Sequence, residues 1–199
     1  MTSVYYTALF LIAFLVSLSI SPLIRRLAFA IGAVDLPGER KIHSVPIPRI
    51  GGVVIMLSFA VTLAAACNIG ALNASWVTPH LTAWWPILSG AVIVFLGGAF
   101  DDVRSLPVWA KFAIQTAAAA TAIGLGVRID HISFFGSDPV NLGLLAFPLT
   151  FLWIVGITNA FNLIDGLDGL AVGLGSIAAG TCATLFLLRG ETQDALVLF

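Results

Sequence analysis

Long apolar runs separated by short polar stretches dominate this chain. Six such runs can be drawn, at about residues 4–24, 50–71, 85–100, 111–127, 142–161 and 170–188. Each approaches the ~20 residues that an α-helix needs to cross the hydrocarbon core of a bilayer. The pattern predicts an all-α fold, a polytopic membrane helix bundle with about six transmembrane helices. A seventh helix is expected to begin at the C-terminal residues ALVLF.

The composition supports a membrane protein. Hydrophobic residues make up 59% of the 199 residues and charged residues only 10%, whereas soluble domains contain roughly 25% charged residues. The nine Lys and Arg residues provide no basic patch for nucleic acid. Cys67 and Cys182 both lie in apolar runs, so we expect packing residues and neither a disulfide framework nor a metal site. No internal repeat or linker is evident, which indicates a single domain over residues 1–199.

The basic residues are unevenly distributed between the two sides of the predicted bundle. Only Arg128 and Arg189 fall on one side. The other side carries Arg25, Arg26, Arg40, Lys41, Arg49, Arg104 and Lys111. Because loops rich in Lys and Arg stay in the cytoplasm, the N-terminus is expected outside and the loop at residues 25–49 inside.

Three dense polar stretches then share the cytoplasmic side. They are DLPGERKIHSVPIPRIGG at residues 35–52, GGAFDDVRSLPVWAKF at 97–112 and NAFNLIDGLDGL at 159–170. Prolines exclude a regular helix from the first stretch, and Gly166 and Gly169 indicate that the third opens from a helix into a loop. Other interpretations are a basic loop that binds anionic lipid headgroups, solvated charges at a helix end, and polar helix caps.

Paired carboxylates, cationic side chains and glycine loops in one compartment suit a phosphate-bearing substrate. Phosphoryl transfer needs a divalent cation at the pyrophosphate, a base for the nucleophile, and Lys or Arg for the leaving charge. Mg²⁺ prefers oxygen ligands, which Asp and Asn supply. The membrane location further indicates that one substrate or product is a lipid.

These three stretches resemble the cytoplasmic motifs of the polyprenyl-phosphate N-acetylhexosamine-1-phosphate transferases. Such enzymes transfer a sugar-1-phosphate from a UDP-sugar to a polyprenyl phosphate and release UMP. The stretch HSVPIPRIGG is more similar to the N-acetylglucosamine-1-phosphate branch than to the phospho-N-acetylmuramoyl-pentapeptide branch, which usually shows a Lys-x-Gly-Thr-Pro-Thr pattern there. The resemblance implies that the chain initiates a cell-envelope polysaccharide in the bacterial plasma membrane, with Mg²⁺ or alternatively Mn²⁺ as cofactor. A homodimer is a further expectation.

The resemblance also implies roles for individual residues. Asp101 is expected to deprotonate or hold the lipid phosphate with the support of Asp102, and Lys111 to contact the pyrophosphate. Asn162 is expected to bind Mg²⁺ together with the pyrophosphate. The remaining predicted substrate-binding residues are His43 and Arg49 near the phosphates or sugar, Asp168 near the uracil, and Asn159 and Asp165 lining the same site.

The family carries about ten spans, a further Asp motif and a later His-rich loop. Neither the Asp motif nor the His-rich loop follows the sixth run, and the sequence stops where a seventh span is expected to begin, so we expect the chain to be the N-terminal part of such an enzyme. Two other functions remain open on the sequence. An ion-coupled transporter would place acidic residues at mid-span, and an inactive scaffold would keep the motifs as structure only.

Overall fold

The computed structural model describes residues 2–37, 44–71, 78–133, 138–165 and 169–190. Six α-helices lie in these ranges, one at each predicted run, so the all-α fold is confirmed. The helices are α1 (Thr2–Ile31), α2 (Gly52–Ala71), α3 (Thr78–Val103), α4 (Val108–Gly124), α5 (Ala146–Ile164) and α6 (Leu170–Leu188). The strands are two residues each: β1 (Val34–Asp35) with β2 (Ile47–Pro48), and β3 (His131–Ile132) with β4 (Val140–Asn141). A 3₁₀ turn, Gly143–Leu145, leads into α5.

Within the described ranges, four helical segments are long and apolar enough to cross a membrane. They are Thr7–Ile31, Trp84–Val103, Gly143–Ile164 and Leu170–Leu188, and Gly52–Asn68 forms a shorter apolar helix. Large apolar side chains on these helices point outward; Leu18 is 61% exposed and Ile177 is 71% exposed. Such surfaces require an apolar solvent, as expected of a multi-pass membrane protein. The number of six crossings stays a prediction, because α4 has only 17 residues.

The helix ends differ from the predicted ones in physically instructive ways. Helix α1 continues to Ile31, where the sequence predicted an end at residue 24. The extension is Arg-, Leu- and Ala-rich, and these residues are strong helix formers. Gly32 then ends the helix with a φ of 74°, a backbone conformation that favours glycine. Arg25 and Arg26 therefore lie on a helix, and their assignment to the following loop was wrong.

The described residues divide into two compact units. Unit 1 comprises the described residues within 1–81, 95–106 and 183–199, and unit 2 comprises those within 82–94 and 107–182. In unit 1, α1 packs on α2 through an apolar cluster of Ile24, Ala28, Ala33, Ile50 and Val54. The β1–β2 ladder joins the chain just after α1 to the chain just before α2, with Val34 opposite Pro48.

Unit 2 is built on the packing of α4 against α5. Gly90 of α3 also contacts α4 closely: a Cβ at this position would lie 3.2 Å from the carbonyl oxygen of Ala118. Two hydrogen-bonded points determine how α4 and α5 run. Gln115 at the middle of α4 bonds to Asn159 near the end of α5, and Ile129, which follows α4, bonds to Thr150 near the start of α5. The two helices are therefore antiparallel neighbours.

Candidate functional site at the α4–α5 end

The paired carboxylates Asp101 and Asp102 lie in the last turn of α3, in unit 1. Both residues are half-buried. An Asp101 oxygen, Oδ1, accepts a hydrogen bond from the backbone N–H of Leu106 at 2.7 Å. Asp101 thereby ties down the short turn that connects α3 to α4, and one of its oxygens has a structural task as well as any chemical one.

Lys111 lies in the first turn of α4, which begins after Pro107. Proline is well suited to this position because it lacks the N–H that a helix start leaves unpaired. The Pro107 carbonyl accepts hydrogen bonds from the N–H groups of Ala110 and Lys111. Lys111 is half-buried. The helix start and the ammonium group both favour an anion at this point.

The last turn of α5 carries Asn162, and Asp165 is its C-terminal cap residue. The N–H of Asp165 donates to the carbonyl of Phe161 at 3.1 Å, and both Asn162 and Asp165 are exposed. The sequence predicted that this helix ends near residue 161 and then opens into a loop, whereas α5 continues to Ile164, so Asn162 is helical. Asp168 lies outside the described residues; Gly169, with a φ of 75°, precedes α6.

The antiparallel pairing brings four of the predicted residues to one end of unit 2. The start of α4, with Lys111, lies beside the end of α5, with Asn159, Asn162 and Asp165. The helix dipoles then present opposite partial charges side by side, positive at the start of α4 and negative at the end of α5. An anion beside Lys111 and a cation beside the oxygens of Asn162 and Asp165 would both be stabilised there.

Asn159 makes a contact that the sequence analysis missed. Its Nδ2 donates to Oε1 of Gln115 at 2.6 Å, and Gln115 Nε2 donates back to Asn159 Oδ1 at 3.2 Å. Asn159 Nδ2 also donates to the carbonyl of Val155 at 3.1 Å. Gln115 is buried in an Ala-rich helix. An isolated amide in an apolar run was the signal that could have identified it, because such a group rarely lacks a partner.

The first basic stretch is described only in part. Arg49 is exposed, and its backbone N–H donates to the carbonyl of Ala33 at 3.0 Å. His43 lies outside the described residues. Arg49, Asp101 and Asp102 belong to unit 1 and Lys111, Asn159, Asn162 and Asp165 to unit 2, so a site common to all of them stays a prediction.

Metal binding is also still a prediction. Among the residues that the structure describes, no cluster of three His, Cys, Asp or Glu side chains could hold a metal ion. Asn162, the predicted Mg²⁺ ligand, offers an amide oxygen, which suits Mg²⁺ but is not one of these four types.

Comparison with known proteins identifies the family. The family model for glycosyl transferase family 4 matches residues 84–199, more than half of the chain. This multi-pass membrane protein belongs to glycosyl transferase family 4, and the resemblance drawn from the three polar stretches is confirmed.

Three similar proteins are bacterial. A probable undecaprenyl-phosphate N-acetylglucosaminyl 1-phosphate transferase of Bacillus subtilis (strain 168) is 40% identical over 92% of this chain and 48% of its own length. A decaprenyl-phosphate N-acetylglucosaminephosphotransferase of Mycobacterium tuberculosis (strain H37Rv) is 34% identical over 87% of this chain and 44% of its own length. An undecaprenyl-phosphate alpha-N-acetylglucosaminyl 1-phosphate transferase of Escherichia coli (strain K12) is 28% identical over 88% of this chain and 45% of its own length. The chain spans about half the length of these curated relatives.

Proposed function

We propose that this chain takes part in the transfer of N-acetylglucosamine-1-phosphate from UDP-N-acetylglucosamine to a polyprenyl phosphate. The names of the relatives support the acceptor lipid and the sugar. An oxygen of the lipid phosphate attacks the sugar-bearing phosphorus of the UDP-sugar and forms a new P–O bond. The bond from that phosphorus to the oxygen bridging it to UMP breaks, and UMP leaves with the electron pair.

The observation that carries this proposal is the α4–α5 end. Lys111 at the start of α4 suits the pyrophosphate, and Asn162 at the end of α5 suits a divalent cation bound to it. Bound Mg²⁺ would neutralise the pyrophosphate charge. Asp102 and Asp101 are the proposed groups that keep the lipid phosphate deprotonated, and Asp168 is the proposed contact to the uracil.

The distribution of acidic residues disfavours the transporter alternative. Across the described ranges, every acidic residue lies outside a helix or in a final helical turn: Asp35, Asp101, Asp102, Asp130, Asp138 and Asp165. A proton or ion relay needs such groups at mid-membrane depth. The proposed location is the bacterial plasma membrane, with the reaction on the cytoplasmic side, as the charge asymmetry of the loops predicts.

The direct test is UMP release by membranes that contain the full chain. UDP-N-acetylglucosamine, polyprenyl phosphate and Mg²⁺ are supplied together, and then each is omitted in turn. The proposal expects UMP only when all three are present, and N-acetylglucosaminyl-pyrophosphoryl lipid in equal amount. UDP-N-acetylmuramoyl-pentapeptide serves as the competing donor. UMP release from that donor alone would contradict the proposed sugar, and no UMP from either donor would contradict the reaction.

A further inference from the structure

Gln115 lies in the second turn of α4 with only 7% of its surface exposed, and its amide faces Asn159 of α5. The two amides exchange a pair of hydrogen bonds across the helix interface. We propose that Gln115 is a positioning residue of the phosphotransferase site, which acts through Asn159 to hold the ends of α4 and α5 in one register. The proposal rests on the function proposed above.

The hydrogen bonds determine which way both amides point. The Val155 carbonyl can only accept, so the group of Asn159 that faces it must be the NH₂ group. Its other N–H then donates to Gln115, whose oxygen must face Asn159. Both N–H groups of Asn159 are therefore engaged within unit 2. Asn159 has no N–H left to donate to a phosphate, and its predicted substrate-binding role becomes one of position.

The amide pair lies one helical turn inside the candidate site on both helices. Lys111 precedes Gln115 by four residues on α4, and Asn162 follows Asn159 by three residues on α5. Residues at these spacings share a helix face. A rotation or slip of α4 about the amide pair would therefore move Lys111 relative to Asn162.

The packing around the amide pair leaves it as the contact that determines the register of α4 against α5. Beyond Gln115, the buried residues of α4 are Ala118, Ala119 and Ala122. Alanines let helices approach closely, but a methyl group offers little to determine rotation or register. A single buried amide among apolar residues is a known way to specify register. Gln115 and Asn159 supply this specificity at the end of the pair where the chemistry is proposed.

The test compares Gln115→Leu with an exchanged pair in the full chain, Gln115→Asn combined with Asn159→Gln. The exchanged pair keeps two amides of the same total length. Thr121→Val is the control on α4, since within the described residues the Thr121 hydroxyl donates only to the carbonyl of Ala117 in its own helix. We expect Gln115→Leu to lower kcat/KM for the UDP-sugar by ~10–100-fold per folded molecule, as misplaced site groups do. The KM for polyprenyl phosphate should change by less than about twofold, and the exchanged pair should recover most of the loss.

A second measurement reports the register itself and does not depend on activity. Spin labels at Trp109→Cys on α4 and Leu163→Cys on α5, with Cys67 and Cys182 replaced by Ala, give a distance distribution between the two helix ends. Trp109 is 74% exposed and Leu163 is 87% exposed, so both positions accept a label. Gln115→Leu should broaden the distribution, and the exchanged pair should narrow it again.

The outcomes separate the two proposals. An unsubstituted full chain that releases no UMP contradicts the proposed function, whereas the labels still decide whether the amides hold the helices. An unchanged distance distribution in Gln115→Leu overturns the positioning role whatever the activity. The positioning role is also overturned if Gln115→Leu lowers the amount of folded protein but leaves kcat/KM for the UDP-sugar unchanged. It is overturned as well if the exchanged pair is as impaired as Gln115→Leu.

Discussion

The backbone N–H of Ile129 donates a hydrogen bond to the hydroxyl of Thr150 at 2.9 Å. The same hydroxyl donates to the carbonyl of Ala146 at 2.6 Å, and Thr150 is only 1% exposed. This contact ties the chain after α4 to the start of α5. It is the counterpart of the Gln115–Asn159 pair at the opposite end of the two helices.

Replacing Thr150 should destabilise this end. Thr150→Val leaves the N–H of Ile129 without its acceptor, and such a loss costs ~1–3 kcal/mol. Thr158→Val is the matched control. The Thr158 hydroxyl donates to the carbonyl of Ile154 in its own helix, so this substitution removes no hydrogen bond to another segment. Unfolding of the purified protein in detergent measures the difference. Equal losses for the two variants would contradict the structural role of Thr150.

A side chain at Gly90 should weaken the α3–α4 contact. Ala at a helical glycine normally stabilises a helix by ~0.5–1 kcal/mol. At Gly90 the new Cβ would lie 3.2 Å from the Ala118 oxygen, whereas at Gly98 it would meet nothing within 4 Å. We therefore expect Gly98→Ala to raise the unfolding temperature and Gly90→Ala not to do so. The larger side chain of Gly90→Leu should lower the unfolding temperature below that of the unsubstituted protein. A gain for Gly90→Ala as large as that for Gly98→Ala would contradict the close packing.

Neutralising either carboxylate of the Asp101–Asp102 pair should lower turnover much more than it lowers the amount of folded protein. Asp101→Asn keeps an oxygen that can accept the N–H of Leu106, so the turn should survive while the charge is lost. General-base contributions are ~10²–10⁴-fold, and we expect a loss of this size for Asp101→Asn or Asp102→Asn. Asp130→Asn, which breaks an exposed ion pair with Arg128, is the control and should retain activity. Losses below about tenfold at both positions would remove the proposed role.

Asn162 and Lys111 should affect different ligands although they lie at the same end of the α4–α5 pair. Asn162→Ala removes a proposed oxygen ligand, so the Mg²⁺ concentration for half-maximal activity should rise by about tenfold or more. Lys111→Ala should raise the KM for the UDP-sugar and leave the Mg²⁺ demand nearly unchanged. Asn68→Ala is the control, since in the part of the chain that the structure describes the Asn68 side chain donates only to the carbonyl of Ala64 in its own helix. A common drop in folded protein without selective changes would indicate helix-capping roles instead.

The predicted orientation can be tested by labelling single cysteines from outside. Cysteines near Asn73 and Ser137 should react in sealed right-side-out vesicles, whereas cysteines at Ser44, Ser105 and Gly166 should not. The native Cys67 and Cys182 must first be replaced. Permeabilised vesicles provide the control for accessibility of every position. Outside labelling of Ser105→Cys would reverse the orientation and with it the cytoplasmic assignment of the reaction.

The sequence by itself determined the class, the helix positions and the family. A bilayer imposes a length and an apolar composition on each span, and both are properties of consecutive residues. All six apolar runs therefore correspond to helices in the described ranges. The Asp101-Asp102 pair and the NAFNLIDGLDGL stretch are local as well, and they were sufficient to indicate the family that residues 84–199 match.

Helix ends were less predictable. Helix α5 was expected to end near residue 161 and runs to Ile164, so Asn162 is helical. Polar residues and glycines at the end of an apolar run are compatible with either state, because the span boundary depends on the membrane and on packing as much as on propensity.

Only the tertiary structure decided which residues work together. The antiparallel register of α4 and α5 brings Lys111 and Asn162 to one end of unit 2. The tertiary structure also shows that the side-chain N–H groups of Asn159 donate to Gln115, 44 residues away, and to Val155, four residues away. Hydropathy records how apolar each residue is, but it does not record which partner a buried amide will find. That choice depends on the rotation of one helix against another, which small alanine contacts and a few hydrogen bonds determine in the folded chain.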